Sequence, residues 1–220
     1  MLIVGMGGLG CPAALALAQA GVRSLTLVDP DVVEPSNLHR QVWYREDDVG
    51  RHKVEVAADR LRAAFPGLSV HAQVRALDEA AARDEFPRHP VVIDGVDGAA
   101  TKFALARAAL ACGVPLIHGG VLRLEGLAVR LEPGGPCLGC LFDGPPERAL
   151  SCAQAGVLGS VAGLVGALQA ALALRPEPKA GEAGLLRVDG RRMTVRTVAL
   201  RKDPACPACG PQRTALWKAS

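Results

Sequence analysis

The chain has 220 residues, half of them hydrophobic, and a net charge of +3. That length suits one large domain with a sizeable core. The mild charge and an aromatic content of 3% argue against a nucleic-acid binder. Met1 leads straight into an apolar run with no basic leader, which predicts a cytoplasmic protein rather than a secreted one. In that setting seven cysteines point to metal binding or reactivity, not to disulfides.

Leu2 to Val4 runs into Gly5-Met6-Gly7-Gly8-Leu9-Gly10, a G-x-G-x-x-G pattern, and an Ala/Leu-rich stretch from Ala13 to Ala20 follows. The pattern predicts strand, tight turn and helix. Gly5 permits the turn. Gly7 and Gly8 let backbone N–H groups approach a phosphate, and Gly10 lets the helix pack closely on the strand. Leu25 to Val28 predicts a second strand, ending in Asp29. An acid roughly 20 residues after the glycines is placed to accept hydrogen bonds from ribose hydroxyls. The unit fits a nucleotide, and on these residues alone NAD and ATP fit equally, because both carry adenosine. Residues 30–41 form a polar, irregular loop with two prolines, at the strand end where open α/β sheets bind ligands. Lys53 to Ala64 predicts a helix, with Val54, Ala57, Ala58, Leu61 and Phe65 on one face, and Pro66-Gly67 stops it. Leu68 to Val74 alternates as a strand, and Leu77 to Phe86 predicts a short helix. Val91 to Ile93 is a buried strand that runs into Asp94-Gly95-Val96-Asp97. A helix from Ala99 to Cys112 and a strand from Val114 to Ile117 follow. The alternation predicts a doubly wound, Rossmann-like, mostly parallel sheet, with residues 1–120 as its nucleotide-binding half.

From residue 121 the pattern changes. Val121 to Leu131 predicts strand, turn, strand. A Pro/Gly loop leads to Cys137-Leu138-Gly139-Cys140, and Phe142 to Ser151 is a connector. Ala155 to Leu174 is uncharged and about as long as a membrane span. Gly156, Gly159, Gly163 and Gly166 recur in it at helical spacing, with Gln154 and Gln169 beside and within the run, which predicts a buried helix and no membrane. Leu185 to Val188 and Met193 to Leu200 predict a hairpin across Asp189-Gly190. Arg187, Arg191, Arg192, Arg196 and Arg201 make it basic, which reads as a solvated face, with docking of an acidic partner as the alternative. The tail carries Cys206-Pro207-Ala208-Cys209-Gly210. In each C-x-x-C pair a tight knuckle turns two sulfurs toward one point. Cys137, Cys140, Cys206 and Cys209 therefore predict a four-thiolate Zn²⁺ site, closed and so structural, that staples the tail onto the domain. Cys11 and Cys112 read as small buried hydrophobes. Residues 121–220 are thus an antiparallel extension within a single domain of residues 1–220.

The residues away from the adenosine discriminate between nucleotides. A dehydrogenase needs a flat nicotinamide pocket and a proton-transfer group. A nucleotidyl-transfer enzyme needs cations and a metal-binding carboxylate around a triphosphate. Arg40 sits in the loop after the ribose acid. Lys53 opens a helix, whose N-terminus adds positive potential. Asp97 ends a neighbouring strand and suits Mg²⁺. Taken singly, Lys53 also reads as a solvated first-turn lysine and Asp97 as an N-cap. Together with the glycine loop they favour ATP over an NAD-dependent oxidoreductase.

The segments GMGGLGC, LVDPDVVEPSNLHRQ, VGRHKVE and DGVDGAATKF resemble the ThiF/MoeB/HesA family, relatives of the ubiquitin-activating enzymes. The resemblance continues through HGGVLRLEG, GPCLGCLF, SCAQAGVLGSVAGLVGALQA and DPACPACG, in order, over essentially the whole chain. It implies an adenylyltransferase that uses ATP and Mg²⁺ to adenylate the C-terminal glycine of a ubiquitin-fold sulfur carrier ending in Gly-Gly. The acyl-adenylate then receives sulfur for thiamine, molybdopterin or a related pathway. By position, the resemblance implies Gly7 and Gly8 in the phosphate loop and Asp29 on the ribose. Ser36, Asn37, Leu38, His39 and Arg40 would line the ATP site, and Lys53 would face the phosphates. Asp97, with Gly98 beside it, would serve Mg²⁺ and the nucleotide. The four cysteines match the family's zinc ligands. Cys152, opening the long helix, matches a cysteine that some members use in acyl or persulfide chemistry, and a thiol at a helix N-terminus has a lowered pKa that suits a nucleophile. Bacterial members resemble symmetric dimers, which together with its uncharged surface puts the helix from Gly156 to Gly166 in or beside a homodimer interface.

Some positions depart from the family pattern. Gly98 stands where asparagine is common, and Leu127 where glutamine is common. The family usually carries a helical segment before the first strand, with an arginine that reaches the partner subunit's ATP; this sequence begins at the strand. No rhodanese domain follows Cys209, so the implied sulfur donor is a separate protein. A reading of another class is a zinc-stapled module that binds a partner without catalysis.

Overall fold

The computed structural model describes residues 1–145, 156–176 and 184–211. In chain order the elements are β1 (Leu2–Val4), α1 (Gly10–Gln19), β2 (Ser24–Val28), α2 (Lys53–Ala64), β3 (Ser69–Gln73), α3 (Glu79–Glu85), β4 (Val92–Asp94), α4 (Ala99–Cys112), β5 (Leu116–Leu122), β6 (Glu125–Leu131), α5 (Gly159–Leu174), β7 (Gly184–Asp189) and β8 (Thr194–Ala199). The strands form one sheet in the order β3-β2-β1-β4-β5-β6-β7-β8. From β3 to β5 the pairs are parallel, and from β5 to β8 they are antiparallel. The chain steps outward from β1 through β2 to β3, then returns to the other side of β1 for β4. That reversal opens a crevice at the carboxyl ends of β1 and β4, where doubly wound sheets take ligands.

Helices on both faces explain why β1 and β4 carry no alternation: every residue of each is buried. The period-2 geometry still sorts the side chains. Ile3 packs into the layer of α1, α2 and α5, whereas Leu2 and Val4 pack into the layer of α3 and α4. The doubly wound core with its antiparallel extension is the architecture the sequence predicts. Within it, the strand expected to end at Ile117 runs on to Leu122, and the expected break before Val121 is absent. His118-Gly119-Gly120 has weak strand propensity. Pairing with β4 at His118 and with β6 throughout overrides it.

The long apolar helix, expected from Ala155, begins at Gly159 and packs one face into the chain's own core. Two of its glycines permit close approach: a Cβ on Gly166 would lie 2.4 Å from Leu9 O, and one on Gly159 would lie 2.9 Å from His39 O. The other two do not. Gly163 has nothing within 4 Å, and Gly156 precedes the helix with φ 75°. Gln169, the polar residue in the run, is fully buried and donates to Asp94 O (2.7 Å) and Ile117 O (3.1 Å). Among the described residues no helix is long and apolar enough to cross a membrane. Cys112, expected to be buried, is half-buried, with its thiol on Arg83 O at 3.4 Å.

The two helix glycines predict opposite outcomes on substitution. Gly166→Ala forces the α1 backbone away and should destabilise by roughly 1–3 kcal/mol. Gly163→Ala meets open space and should stabilise by up to about 1 kcal/mol through helix propensity. Urea unfolding of both variants checks this; equal effects would show that α5 does not pack on α1 as described.

Candidate active site

A cleft of about 490 Å³ opens at the carboxyl ends of the parallel strands. Its back wall is a crossing of two backbones. Gly5 has φ 90°, and a Cβ there would sit 2.7 Å from Gly95 C. A Cβ on Gly10 would sit 1.9 Å from Gly5 O. Only glycine fits such a crossing, and it is locked by Gly5 N–H on Val28 O and Gly95 N–H on Val4 O, both 2.8 Å.

Asp29 ends β2 and is 5% exposed. One carboxylate oxygen accepts Met6 N–H at 2.6 Å and the other accepts Asp31 N–H at 2.8 Å. Each oxygen keeps a lone pair for a ligand hydroxyl. Burial pushes its pKa above the ordinary value, opposed by Lys53 and by those two N–H groups. In the next peptide of the loop, Met6 O accepts the Tyr44 hydroxyl at 2.7 Å and the Cys11 thiol at 3.3 Å. Burial raises the Cys11 pKa to about 12, so this thiol is inert, as its apolar setting predicts.

Two cations flank the glycine loop. Arg40 donates to Asn37 Oδ1 at 2.7 Å and to Ser36 O at 3.2 Å. Asn37 in turn donates to Glu34 Oε2 at 3.3 Å. Lys53 opens α2, is 5% exposed, and places Nζ 2.7 Å from Asp31 Oδ2. On the β4 side, Asp97 lies on the cleft wall, exposed. The N-cap of α4 is Gly98, so Asp97 is not spent as a cap.

Beneath this wall lies a buried polar cluster. Asp94 is fully buried; it accepts Lys102 Nζ at 3.2 Å and pairs with His118 Nδ1 at 2.7 Å. Lys102 also donates to Gly119 O at 2.6 Å and reaches the cleft. Burial alone would raise the Asp94 pKa, but Lys102 and His118 outweigh it and hold it below the ordinary value. Burial drives the His118 pKa down.

Apart from the cleft, Cys137, Cys140, Cys206 and Cys209 bring their sulfurs within 4.8 Å of one another. A 3₁₀ turn, Leu138–Cys140, forms the first knuckle, and Gly210 N–H on Cys206 O (2.8 Å) closes the second. Burial raises the Cys137 and Cys209 pKa values, and a bound cation reverses this by taking the thiolate. Four converging thiols are the donor set of a tetrahedral metal site, and Leu110 of α4 packs against them.

A family model described as the ThiF family matches residues 1–208. The chain belongs to the ThiF family. It is 41% identical over 215 residues to the SAMP-activating enzyme E1 of Haloferax volcanii, covering 96% of this chain and 80% of that one. It is 43% identical over 221 residues to the adenylyltransferase and sulfurtransferase MOCS3 of Bos taurus, covering 97% of this chain. It spans only 49% of that bovine relative. The crystal structure of Escherichia coli MccB shares the fold, with a TM-score of 0.81 at 21% identity over 96% of this chain and 65% of that one. Family and relatives place the chain among the adenylyltransferases.

In this ThiF-family chain the cleft brings together Gly7, Gly8, Asp29, Arg40, Lys53, Asp97 and Gly98. Ser36, Asn37, Leu38 and His39 are not on its wall. Ser36 and Asn37 hold Arg40 instead, and Leu38 packs on the core. His39 is exposed, with its carbonyl against Gly159. Cys152 lies outside the described residues. Sequence reasoning missed Asp31, Arg75 and Lys102, which also line the cleft. Asp31 carried a readable signal, two residues past the ribose acid. Arg75 and Lys102 carried none, since each takes its meaning from partners in other elements.

Proposed function

We propose that this chain adenylates the C-terminal glycine of a small ubiquitin-fold sulfur-carrier protein ending in Gly-Gly, using ATP and Mg²⁺ and releasing pyrophosphate. The observation that carries this reading is the charge layout of one cleft. Glycine-loop amides, Arg40 and Lys53 supply positive potential, Asp29 offers two acceptor oxygens, and Asp97 supplies an uncapped carboxylate. A triphosphate with its metal needs that set, and a hydride transfer does not.

The residues divide the work as follows. Asp29 accepts the ribose hydroxyls, and Gly7 and Gly8 let the phosphates approach the backbone. Lys53 exchanges Asp31 for a phosphate oxygen. Arg40, pre-oriented by Ser36 and Asn37, neutralises charge on the phosphates. Asp97, with Gly98 beside it, would hold Mg²⁺, which offsets phosphate charge when bound. The carrier's carboxylate oxygen attacks the α-phosphorus. An oxygen–phosphorus bond forms to give the acyl-adenylate, and the α–β bridging bond breaks to leave pyrophosphate. Cys152 then serves in acyl or persulfide chemistry, with sulfur from a separate donor protein, in a thiamine or molybdopterin type of pathway. Residues 1–220 act as one domain in the cytoplasm.

Carrier-dependent ATP–pyrophosphate exchange tests the reading. Arg40→Ala, Lys53→Ala and Asp97→Ala should each lose roughly 10²-fold or more, while Cys152→Ala keeps exchange. Near-normal exchange by a variant removes that residue from the site. Stabilisation by NADH and not by Mg-ATP would sink the reading itself.

The thiol cluster is proposed to hold one structural Zn²⁺. The outer face of α5, with Leu164 at 41% and Leu174 at 44% exposure, is proposed to lie in or beside a homodimer interface. Metal analysis should find one zinc per chain, lost in Cys206→Ser with a drop in Tm. Sedimentation should find a dimer; a 22.8 kDa species at all concentrations contradicts it.

A further inference from the structure

The proposed reaction leaves two cations of the cleft without a role, Arg75 and Lys102, and Lys102 is engaged by Asp94 and Gly119. Arg75 lies just past β3, on the stretch of wall continued by Ala76, Leu77 and Asp78. Its backbone N–H donates to Gln73 O at 3.1 Å, and the same carbonyl accepts the Asp29 N–H at 3.3 Å. The loop that bears Arg75 is therefore tied to the residue assigned to the ribose. The guanidinium is held as well. Nε donates to Gln73 Oε1 at 2.8 Å, and Nη2 to Glu85 Oε2 at 2.8 Å. Glu85 is 4% exposed and is itself fixed by Arg88 and His89, each at 2.8 Å. Two anchored acceptors on one edge set the plane of a group whose side chain stays 40% exposed.

The position argues against a phosphate contact. The glycine loop, Arg40 and Lys53 already surround the place for the phosphates. A nucleotide carries its ribose between phosphates and base, so with the phosphates at the glycine loop after β1 and the ribose at Asp29 after β2, the base falls on the β3 side. The wall there is apolar, with Ala76, Leu77 and Val96, apart from Arg75 and the α3 cap Asp78. A planar cation at the rim of an apolar slot suits the face of a heteroaromatic ring. Little entropy is lost on binding, because the plane is already set.

We propose that Arg75 is a specificity-determining residue that packs its guanidinium plane against the purine base of the bound nucleotide. The proposal rests on the ATP reading above. It separates two jobs within one cleft. Arg75 holds the base, and the glycine loop with Arg40 and Lys53 holds the phosphates. Gln73 and Glu85 act through Arg75 as positioning residues.

Calorimetric binding to the full chain tests this, with Mg-ATP and inorganic tripolyphosphate as probes. Arg75→Ala should weaken ATP roughly 3- to 30-fold, the size of a cation–π contact, and leave tripolyphosphate unchanged. Arg75→Lys keeps the charge beside Glu85 and so guards the fold, yet should stay weakened for ATP because the plane is gone. Equal losses for both probes, or no loss for ATP, overturn the proposal while leaving the ATP reading intact. Full ATP affinity in Arg75→Lys overturns it too, since a point charge would then suffice. A wild-type chain that binds tripolyphosphate and no ATP overturns both.

Discussion

The Asp29 carboxylate is the joint on which the cleft depends. One oxygen holds the glycine loop through Met6 N–H, and the other holds the following loop through Asp31 N–H. Hydrogen bonds to a charged group contribute about 1.5–3 kcal/mol each, more than neutral ones. The residue that reads as a ribose ligand is thus also the tie between β1 and β2 at their ligand-bearing ends. Tyr44 clamps the next peptide through Met6 O. The glycine loop proposed to receive the phosphates is therefore held by the protein's own hydrogen bonds, which is the condition for strong electrostatic stabilisation.

The rest of the fold brings charges to that joint without letting them collapse on one another. The Gly5–Gly95 crossing lets β1 and β4 meet closely enough for one crevice to be fed from both. The α5 helix closes the crevice from behind. Gly166 seats it on α1, and Gln169 reaches the carbonyls of Asp94 and Ile117, so β4 and β5 are held at the cleft floor. Below the cleft, Asp94 is occupied by Lys102 and His118. Asp97, three residues on, is exposed on the cleft wall and is the carboxylate proposed for the metal. Neighbouring acids thus have separate tasks because one is buried and paired.

What the sequence made legible is what local chemistry decides. The helices over Lys53–Ala64 and Ala99–Cys112 are found residue for residue, since amphipathic spacing marks the first and the flanking Gly98 and Gly113 bound the second. The glycine motif, Asp29 and the two cysteine knuckles are equally local. The run of β5 through Gly119 and Gly120 was not legible, because pairing with β6 imposes it. Arg75 was hidden for the same reason: its orientation comes from Glu85, a residue on a separate helix. Lys102 takes its place from Asp94 and Gly119. The four glycines near α5 looked equivalent by spacing, yet their surroundings divide them into two that pack and two that do not.

Titration of Mg-ATP into the wild-type chain and into Asp29→Asn tests the central claim most directly. Asparagine cannot accept both N–H groups, so its amide opposes one of them and the ribose loses an anionic acceptor. The account predicts one ATP site per wild-type chain and affinity weaker by roughly 10- to 100-fold in Asp29→Asn, in a protein that still folds. Equal affinities, or NADH binding that displaces ATP from the wild type, would contradict it.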